Sequence, residues 1–294
     1  MNNKKGSVIK EIRKIRGISQ QRLGVLIGSQ SMVSKIENNK TEPTDHTVFL
    51  LCNALNISFE EYFSAIFEKK KNNLKTLTAV LNQYYQDNDR QKLNQLTQLL
   101  QNDMIKNPND PFMRHYYLMS LSTLYHLDFL VASIDNQNEL IDYFFNISYW
   151  QFYDLCLLAN VVNMIHVERS TPYISDILKQ YATNNMTMAS VETVSKILIN
   201  ALETSIIQRK DDFTRYLLDK VKKYKFNTDD FKFQTWLLFW TGVFENNNNK
   251  IRHAYSIATY LHQNITLKNF DKFLTITQTP SPFFEDTKKD TPKS

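Results

Sequence analysis

The sequence predicts an all-α protein in which an N-terminal domain of five helices precedes a longer domain of helical repeats. Turn-forming residues are scarce: the 294 residues include 5 glycines and 7 prolines, and only Pro172 and Gly242 fall between Phe112 and Thr279. A β-protein of this length would need many more turn residues. Apolar residues also recur at helical spacing along the chain, often directly after a residue suited to cap a helix.

Length predicts two domains. We place the N-terminal domain at residues 1–67, a charged linker at 68–73, the repeat domain at 74–277 and a loose, proline-rich tail at 278–294. Residues 1–40 contain 9 Lys or Arg and 2 Asp or Glu, whereas residues 72–294 contain 23 of each kind. Positive charge collected at one end is what a phosphate-binding surface requires, so the neutral remainder must serve another purpose.

Residues 19–40, SQQRLGVLIGSQSMVSKIENNK, predict two short helices joined by a tight turn at Gly28. Ser19 and Ser29 are polar residues of the kind that cap helix N-termini. Apolar residues at helical spacing then face inward. The outward face of the second helix is left with Gln30, Ser31, Ser34, Lys35 and Asn38. Small, amide-bearing and basic side chains suit a surface that meets base edges and phosphates.

The flanking segments extend this helix pair to five predicted helices. The first is expected at residues 7–16, the fourth at Asp45–Leu55 and the fifth at 58–67, where Ser58 and Glu61 form a capping box. The pieces IRKIRGISQQRL, SQSMVSKIENNK and LLCNALNISFEEYF fall at the spacing of the phage-repressor or XRE type of helix-turn-helix, which residues 7–67 resemble.

That resemblance implies a DNA-binding domain in which Arg13 and Glu37 form a bridge between the first and third helices. An ordinary helical hairpin with a surface salt bridge is the alternative. Asn39 stands where the family usually has glycine. The resemblance implies that Gln30, Ser31 and Lys35 point toward base edges. The remaining residues predicted to contact DNA, mainly its phosphates, are Gln20, Ser29, Ser34, Asn38, Asn39 and Lys40.

From residue 74 onward helical patterns recur every 18–22 residues. Helices are expected to begin near Leu74, Asp89, Asp110, Asn136, Trp150, Tyr173, Val191, Asp211, Thr228, Lys250 and Thr266. Two-helix units of about 38 residues resemble degenerate tetratricopeptide repeats.

A helix-turn-helix followed by divergent helical repeats resembles the Rgg/GadR/MutR regulators and, more distantly, PrgX and PlcR. The segment VSKILINALETSIIQRKDDFTRYLLDKV looks particularly like their C-terminal domains. The resemblance implies a cytoplasmic receptor for a short imported signalling peptide, a homodimer that binds inverted repeats in promoter DNA, and RNA polymerase as a further partner. Two alternatives stay open: a repressor whose helical domain binds a protein partner, and an enzyme with a vestigial DNA-binding domain.

An extended peptide on the concave face of such repeats brings unpaired main-chain N–H and C=O groups. Asparagine offers both a donor and an acceptor, so Asn160, Asn163 and Asn200 are the predicted clamp. Arg114, His166 and Arg169 are candidates for a peptide carboxylate or acidic side chain. Tyr117, Phe152 and Tyr153 are candidates for apolar pockets. For each of these residues, a purely structural role is the alternative.

The sequence indicates no enzyme, cofactor or metal site. The six histidines have no metal-ligand spacing, and phosphate-loop, H-E-x-x-H and G-x-S-x-G motifs are absent. Cys52 and Cys156 are too few and too far apart for a disulfide framework. Neither a signal segment nor an apolar run of membrane-spanning length is present, which predicts a cytoplasmic protein without a membrane partner.

Overall fold

The computed structural model describes residues 5–66, 73–128, 133–183, 185–280 and 282. The chain forms two compact units, Met1–Asn73 and Leu74–Ser294. Within the described residues there are sixteen α-helices, one short 3-10 helix and no strand, so the all-α prediction is confirmed. The predicted linker before residue 73, and the predicted tail at 281 and 283–294, lie outside the described residues.

The first unit contains five helices. They are α1 (Lys5–Ile15), α2 (Gln20–Ile27), α3 (Gln30–Glu37), α4 (Asp45–Leu55) and α5 (Phe59–Ile66). Their buried side chains form one apolar core that includes Ile9, Leu23, Val33, Leu51 and Leu55.

Local capping explains where these helices begin. The Ser19 hydroxyl accepts from the Arg22 N–H, and the Ser29 hydroxyl accepts from the Met32 N–H, each at 3.1 Å. At α5 the Ser58 N–H donates to Glu61 Oε2 at 2.6 Å, and the Glu61 N–H donates to Ser58 Oγ at 3.1 Å. These contacts form a reciprocal capping box, which satisfies two N–H groups that no helix can pair internally.

The second unit contains eleven helices. They are α6 (Asn73–Gln86), α7 (Arg90–Lys106), α8 (Pro111–Leu127), α9 (Ile134–Phe145), α10 (Phe152–Val161), α11 (Val167–Ala182), α12 (Met188–Ile207), α13 (Asp211–Lys223), α14 (Phe231–Phe244), α15 (Asn248–Tyr260) and α16 (Asn264–Thr277), with the 3-10 helix Val162–Met164 after α10. Helices α6, α8, α10, α12, α14 and α16 begin about 33 to 43 residues apart. This spacing corresponds to a two-helix repeat.

Two of the expected helix starts differ from the structure. Tyr173 lies inside α11, which begins at Val167 and continues through Pro172. Thr228 does not cap α14. The chain turns through residues with positive φ before that helix, including Asn227, and the Asp230 carboxylate accepts from the Phe233 N–H at 3.0 Å.

One apolar core runs through the whole second unit and is dense in aromatic rings near its C-terminal end. Phe239 and Phe270 stack with ring centroids 4.0 Å apart, joining α14 to α16. Gly242 lets α15 approach α14 closely, since a Cβ there would lie 2.8 Å from Ile251 Cγ1. The only glycine of this unit therefore serves helix packing.

Candidate functional site

The first candidate site is the outward face of α3. This helix is seated against α2 by Gly24, where a Cβ would lie 2.3 Å from the backbone nitrogen of Gln30. The inward side chains Val33 and Ile36 are buried in the core of the first unit. The remaining face of α3 is thereby directed outward.

A buried ion pair holds α3 to α1. Arg13 Nε donates to Glu37 Oε1 at 2.5 Å and Arg13 Nη2 donates to Glu37 Oε2 at 3.0 Å. Arg13 Nη1 also donates to the Ile18 carbonyl at 2.7 Å, in the turn that leads to α2. One guanidinium therefore links α1, the following turn and the end of α3.

The environment of this pair favours both charged forms. Burial by itself raises the pKa of Glu37, but hydrogen bonds from Arg13 and Gln20 outweigh it, and the net pKa is lowered. The hydrogen bond to Glu37 raises the pKa of Arg13. The pair stays ionised at neutral pH.

The nine residues predicted to meet DNA fall into two groups. The first group lies exposed or half-exposed on or beside α3, and within the described residues these side chains make no hydrogen bond to a distant part of the unit: Ser29, Gln30, Ser31, Ser34, Lys35, Asn38 and Lys40. Within this group, Ser29 caps α3 and Asn38 donates to the Ser34 carbonyl at 2.8 Å.

Gln20 and Asn39 form the second group, because each makes a contact that supports the fold. Gln20 Nε2 donates to Glu37 Oε2 at 2.7 Å, so this side chain completes the buried pair. Asn39 adopts a left-handed conformation with φ of 55°, and its Oδ1 accepts from the Gly6 N–H at 3.0 Å. Asparagine can stand for glycine at such a helix stop because it tolerates this region.

The second candidate site is a groove in the second unit, lined by alternate helices. Two overlapping cavities of about 520 and 480 Å³ share several lining residues and so form one continuous depression. Its wall comes from α6, α8, α10, α12, α14 and α16, with Asn163 of the 3-10 helix. Both volumes lie in the usual range for ligand sites.

The two halves of the groove differ in chemistry. Apolar side chains dominate one half: Ile199, Phe233, Trp236 and Phe273. Amides and hydroxyls dominate the other half: Asn82, Gln86, Ser122, Thr123, Asn160, Asn163 and Thr193. Residues common to both halves are Tyr85, His126, Glu192, Lys196, Asn200 and Lys232.

All three predicted clamp residues line this groove. Asn160 Nδ2 donates to the Cys156 carbonyl at 2.7 Å, and Asn200 Nδ2 donates to the Ala159 carbonyl at 2.9 Å. In both side chains the nitrogen is anchored to the fold, which leaves the oxygen as the atom able to accept from a ligand.

Asn163 belongs instead to a buried polar chain. Thr204 Oγ1 donates to Asn163 Oδ1 at 2.8 Å, and Asn163 Nδ2 lies 3.0 Å from His126 Nδ1. His126 Nε2 lies 2.5 Å from Glu203 Oε1. Since a carboxylate only accepts, His126 Nε2 carries the proton and Nδ1 accepts from Asn163. The chain connects α8, the 3-10 helix and α12.

Two hydroxyl groups in the groove wall are buried without a hydrogen-bond partner among the described residues. They are Tyr85 Oη on α6 and Ser122 Oγ on α8. The Tyr85 ring stacks on the His126 ring, with centroids 4.7 Å apart and planes inclined by 9°. A buried polar group without a partner costs about 1–3 kcal/mol.

Four residues of the predicted peptide site are not among the described residues that line the groove. Arg114 is bound by Glu139 on α9 through Nε and Nη2 at 2.8–3.0 Å, and its guanidinium lies over the Tyr117 ring. Tyr153 Oη lies 2.7 Å from His115 Nδ1. The His166 main-chain N–H donates to Gln137 Oε1 at 3.0 Å, just before α11.

The described contacts of these four residues are therefore with other parts of the fold, and their role in peptide binding stays a prediction. Arg169, weighed with them as a carboxylate partner, donates to Asn138 Oδ1 at 2.8 Å. Phe152 does line the polar half of the groove. Sequence reasoning missed Tyr85, His126, Lys196, Lys232 and Trp236. Their common signal is a position on alternate helices of the repeat.

The two cysteines show no sign of an activated thiol. Cys52 and Cys156 are both buried free thiols, and burial raises the pKa of each. No cluster of metal-ligating side chains occurs in the part of the chain that the structure describes. None of the described helices is long and apolar enough to cross a membrane.

Comparison with known proteins agrees with this architecture. Residues 9–62 match the helix-turn-helix family. No curated protein matches the chain. The two units thus define a protein with an N-terminal helix-turn-helix domain that is followed in the chain by a helical-repeat domain.

Solved structures with this arrangement cover nearly the whole chain. The Streptococcus dysgalactiae SHP pheromone receptor Rgg2 is similar at 20% identity over 91% of this chain and 97% of its own, with a TM-score of 0.71. PrgX in its complex with cCF10 is similar at 17% identity over 95% of this chain and 94% of its own, with a TM-score of 0.70. The chain has the fold of the Rgg and PrgX proteins, and the predicted resemblance to them is confirmed at that level.

Proposed function

We propose that this chain is a sequence-specific DNA-binding regulator of transcription, controlled by a short signalling peptide that binds in the groove of its second unit. The observation that carries the proposal is the groove itself, because alternate repeat helices line it with amides on one half and aromatic rings on the other. An extended peptide needs both, since its main chain requires hydrogen-bond partners and its apolar side chains require burial.

The DNA-binding half of the proposal rests on α3. Gln30, Ser31 and Lys35 stand exposed on its outward face, in the region of the chain that holds the excess of positive charge. Glutamine suits adenine and lysine suits guanine, and each contact contributes roughly 1–3 kcal/mol of discrimination. Lys40 and Asn38 lie just beyond the helix and are exposed, and we assign them to phosphate contacts.

The peptide half rests on anchored amide oxygens and on charge. We assign the Oδ1 atoms of Asn160 and Asn200 as acceptors for peptide N–H groups, because the Nδ2 atom of each donates to a main-chain carbonyl. Lys196 and Lys232 line both cavities and are exposed, so they are suited to a peptide carboxylate, the role first considered for Arg114, His166 and Arg169. Among proteins of this fold, Rgg2 is named as a pheromone receptor, and PrgX is described in complex with cCF10.

We further propose a homodimer that binds an inverted repeat, because one helix-turn-helix domain contacts too little DNA for tight binding. RNA polymerase remains a predicted partner, and the cytoplasm the predicted location. The alternative occupant of the groove is a segment of a protein partner.

The test is a fluorescence-polarisation titration with labelled peptides encoded by small open reading frames beside the gene. We expect one peptide to saturate the wild-type protein and Asn200→Ala to bind it roughly 5- to 30-fold more weakly, the effect of losing one or two kcal/mol. Asn138→Ala is the matched control, since that asparagine is exposed on α9 and does not line the groove. Absence of any binding peptide, with promoter binding intact in a gel-shift assay, would favour the protein-partner alternative.

A further inference from the structure

The groove contains two hydroxyl groups that the fold leaves unsatisfied. Ser122 is 1% exposed, and its Oγ and the Oη of Tyr85 have no hydrogen-bond partner among the described residues. His126 connects the two positions, because its ring stacks on Tyr85 and it follows Ser122 by one turn on the same face of α8. Tyr85, Ser122 and His126 all line the polar half of the groove.

Neighbouring groups do not serve these hydroxyls. The next residue, Thr123, donates to the Met119 carbonyl at 2.9 Å, a bond commonly made by a helical hydroxyl. Ser122 makes no corresponding bond, although it is equally helical. Both ring nitrogens of His126 are occupied, one by Glu203 and the other by Asn163.

We propose that Tyr85 and Ser122 form a hydrogen-bonding subsite for one neutral polar group of the bound peptide, either a main-chain amide or a hydroxyl or amide side chain. This inference rests on the proposed peptide-binding function. A hydroxyl both donates and accepts, so the pair can satisfy either an N–H or a C=O. Burial raises the pKa of the Tyr85 phenol, which keeps it protonated and able to donate.

A neutral group is favoured over a charged one because of the surroundings. The Glu203 carboxylate next to this recess already accepts from His126, and Lys196 and Lys232 are exposed. A charge brought against two buried hydroxyls would lose more hydration than a neutral polar group, which the two hydroxyls can satisfy by hydrogen bonding. The recess should therefore act as a specificity element, because a site built to hydrogen-bond a polar group rejects analogues that lack it.

The test starts from a phage-displayed library of random octapeptides, selected on the full-length wild-type protein. The strongest selected octapeptide is then synthesised, and its affinity is measured by isothermal titration calorimetry for wild type, Tyr85→Phe and Ser122→Ala. We expect each variant to bind roughly 5- to 30-fold more weakly, as for the loss of one or two kcal/mol. The unliganded variants should melt at the wild-type temperature or above it, because each change removes an unsatisfied group.

Tyr62→Phe is the matched control. Tyr62 also has a buried hydroxyl without a partner among the described residues, but it lies in the core of the first unit. The same chemical change there should leave the affinity for the octapeptide unchanged. Replacing the residues of the octapeptide one at a time provides a double-mutant cycle. At one position, a peptide that lacks the polar group should bind wild type and Tyr85→Phe with equal affinity.

The outcomes separate the two proposals. An octapeptide that binds wild type, Tyr85→Phe and Ser122→Ala equally well would overturn the subsite and leave the peptide-binding function standing. A clear fall in melting temperature for unliganded Tyr85→Phe and Ser122→Ala would also overturn the subsite, since it would mean that the hydroxyls are already paired. A library without any binder would overturn both proposals.

Discussion

Arg13 and Glu37 form a buried ion pair with two hydrogen bonds, which joins α1 to the end of α3. Because Gln20 donates to the same carboxylate, three helices meet at Glu37. The pair holds the helix that carries the proposed base-reading residues, although neither of its members faces outward. The orientation of that helix thus depends on Arg13 and Glu37, which are not among the residues proposed to contact DNA.

Arg13→Ala should destabilise the first unit by about 3–5 kcal/mol, because it leaves the Glu37 carboxylate buried and unpaired. Hydrogen exchange of the full-length protein, resolved to peptides of α1–α3, should show faster opening in these helices. Lys179→Ala is the control, since it breaks an exposed ion pair with Asp176 and should have little effect on stability. Equal protection of α1–α3 in wild type and Arg13→Ala would contradict the prediction.

The stability of the first unit should fall in acid. The folded pKa of Glu37 is lowered from its ordinary value of 4.5, so its contribution is fully present above about pH 4.5 and is lost as the pH falls through the folded pKa. Glu37→Gln should be less stable at pH 7 and less sensitive to pH below 4.5. Circular dichroism melts between pH 7 and 3 measure this, with the exposed Glu60→Gln as the control.

Tryptophan fluorescence separates the two units in such melts. All three tryptophans, Trp150, Trp236 and Trp240, lie in the second unit. An effect of Glu37→Gln should therefore change the circular dichroism signal without a matching change in fluorescence. A fluorescence shift of the same size would show that the second unit had been disturbed as well.

Lys35→Ala and Lys40→Ala should weaken DNA binding in different ways. Lys35 is predicted to contact a base, so its removal should relax the sequence preference. Lys40 is predicted to contact a phosphate, so its removal should weaken binding to every sequence and reduce the salt slope by about 1. Titrations of specific and scrambled duplexes at several salt concentrations measure both effects. Equal losses on every sequence for both variants would mean that the base-reading face is assigned wrongly.

Trp236→Leu should reduce binding of peptides that carry a bulky apolar residue. The Trp236 ring lines the apolar half of the groove and packs edge-on against the Phe270 ring, with centroids 4.9 Å apart. A smaller side chain removes contact area for the ligand while it keeps an apolar wall. Calorimetric titration should show a loss for bulky apolar peptides, whereas Tyr260→Leu, at a residue that is 86% exposed, should show none. A matching loss in both variants would point to a general effect on the fold.

The sequence alone predicted the helices of both units, because helical periodicity and N-caps act within a few residues of one another. Ser19, Ser29 and the capping box at Ser58 mark helix starts in the structure as they do in the sequence. The Arg13–Glu37 contact was reached from a family resemblance, which places two distant residues together by spacing. Local patterns also predicted the length of the two-helix repeat. Because such repeats stack, they predicted a concave face lined by one helix of each repeat.

Only the tertiary structure decided which side chains share that face. His126 and Glu203 are 77 residues apart, and Arg114 finds Glu139 on a neighbouring helix. Such pairings depend on how helices pack, and no periodicity within one helix encodes them. The three asparagines predicted as a peptide clamp do line the groove, because polar residues on otherwise apolar helices can be recognised in the sequence. Tyr85 and Ser122 gave no such signal, since a hydroxyl reveals its missing partner only when the packed surroundings are known.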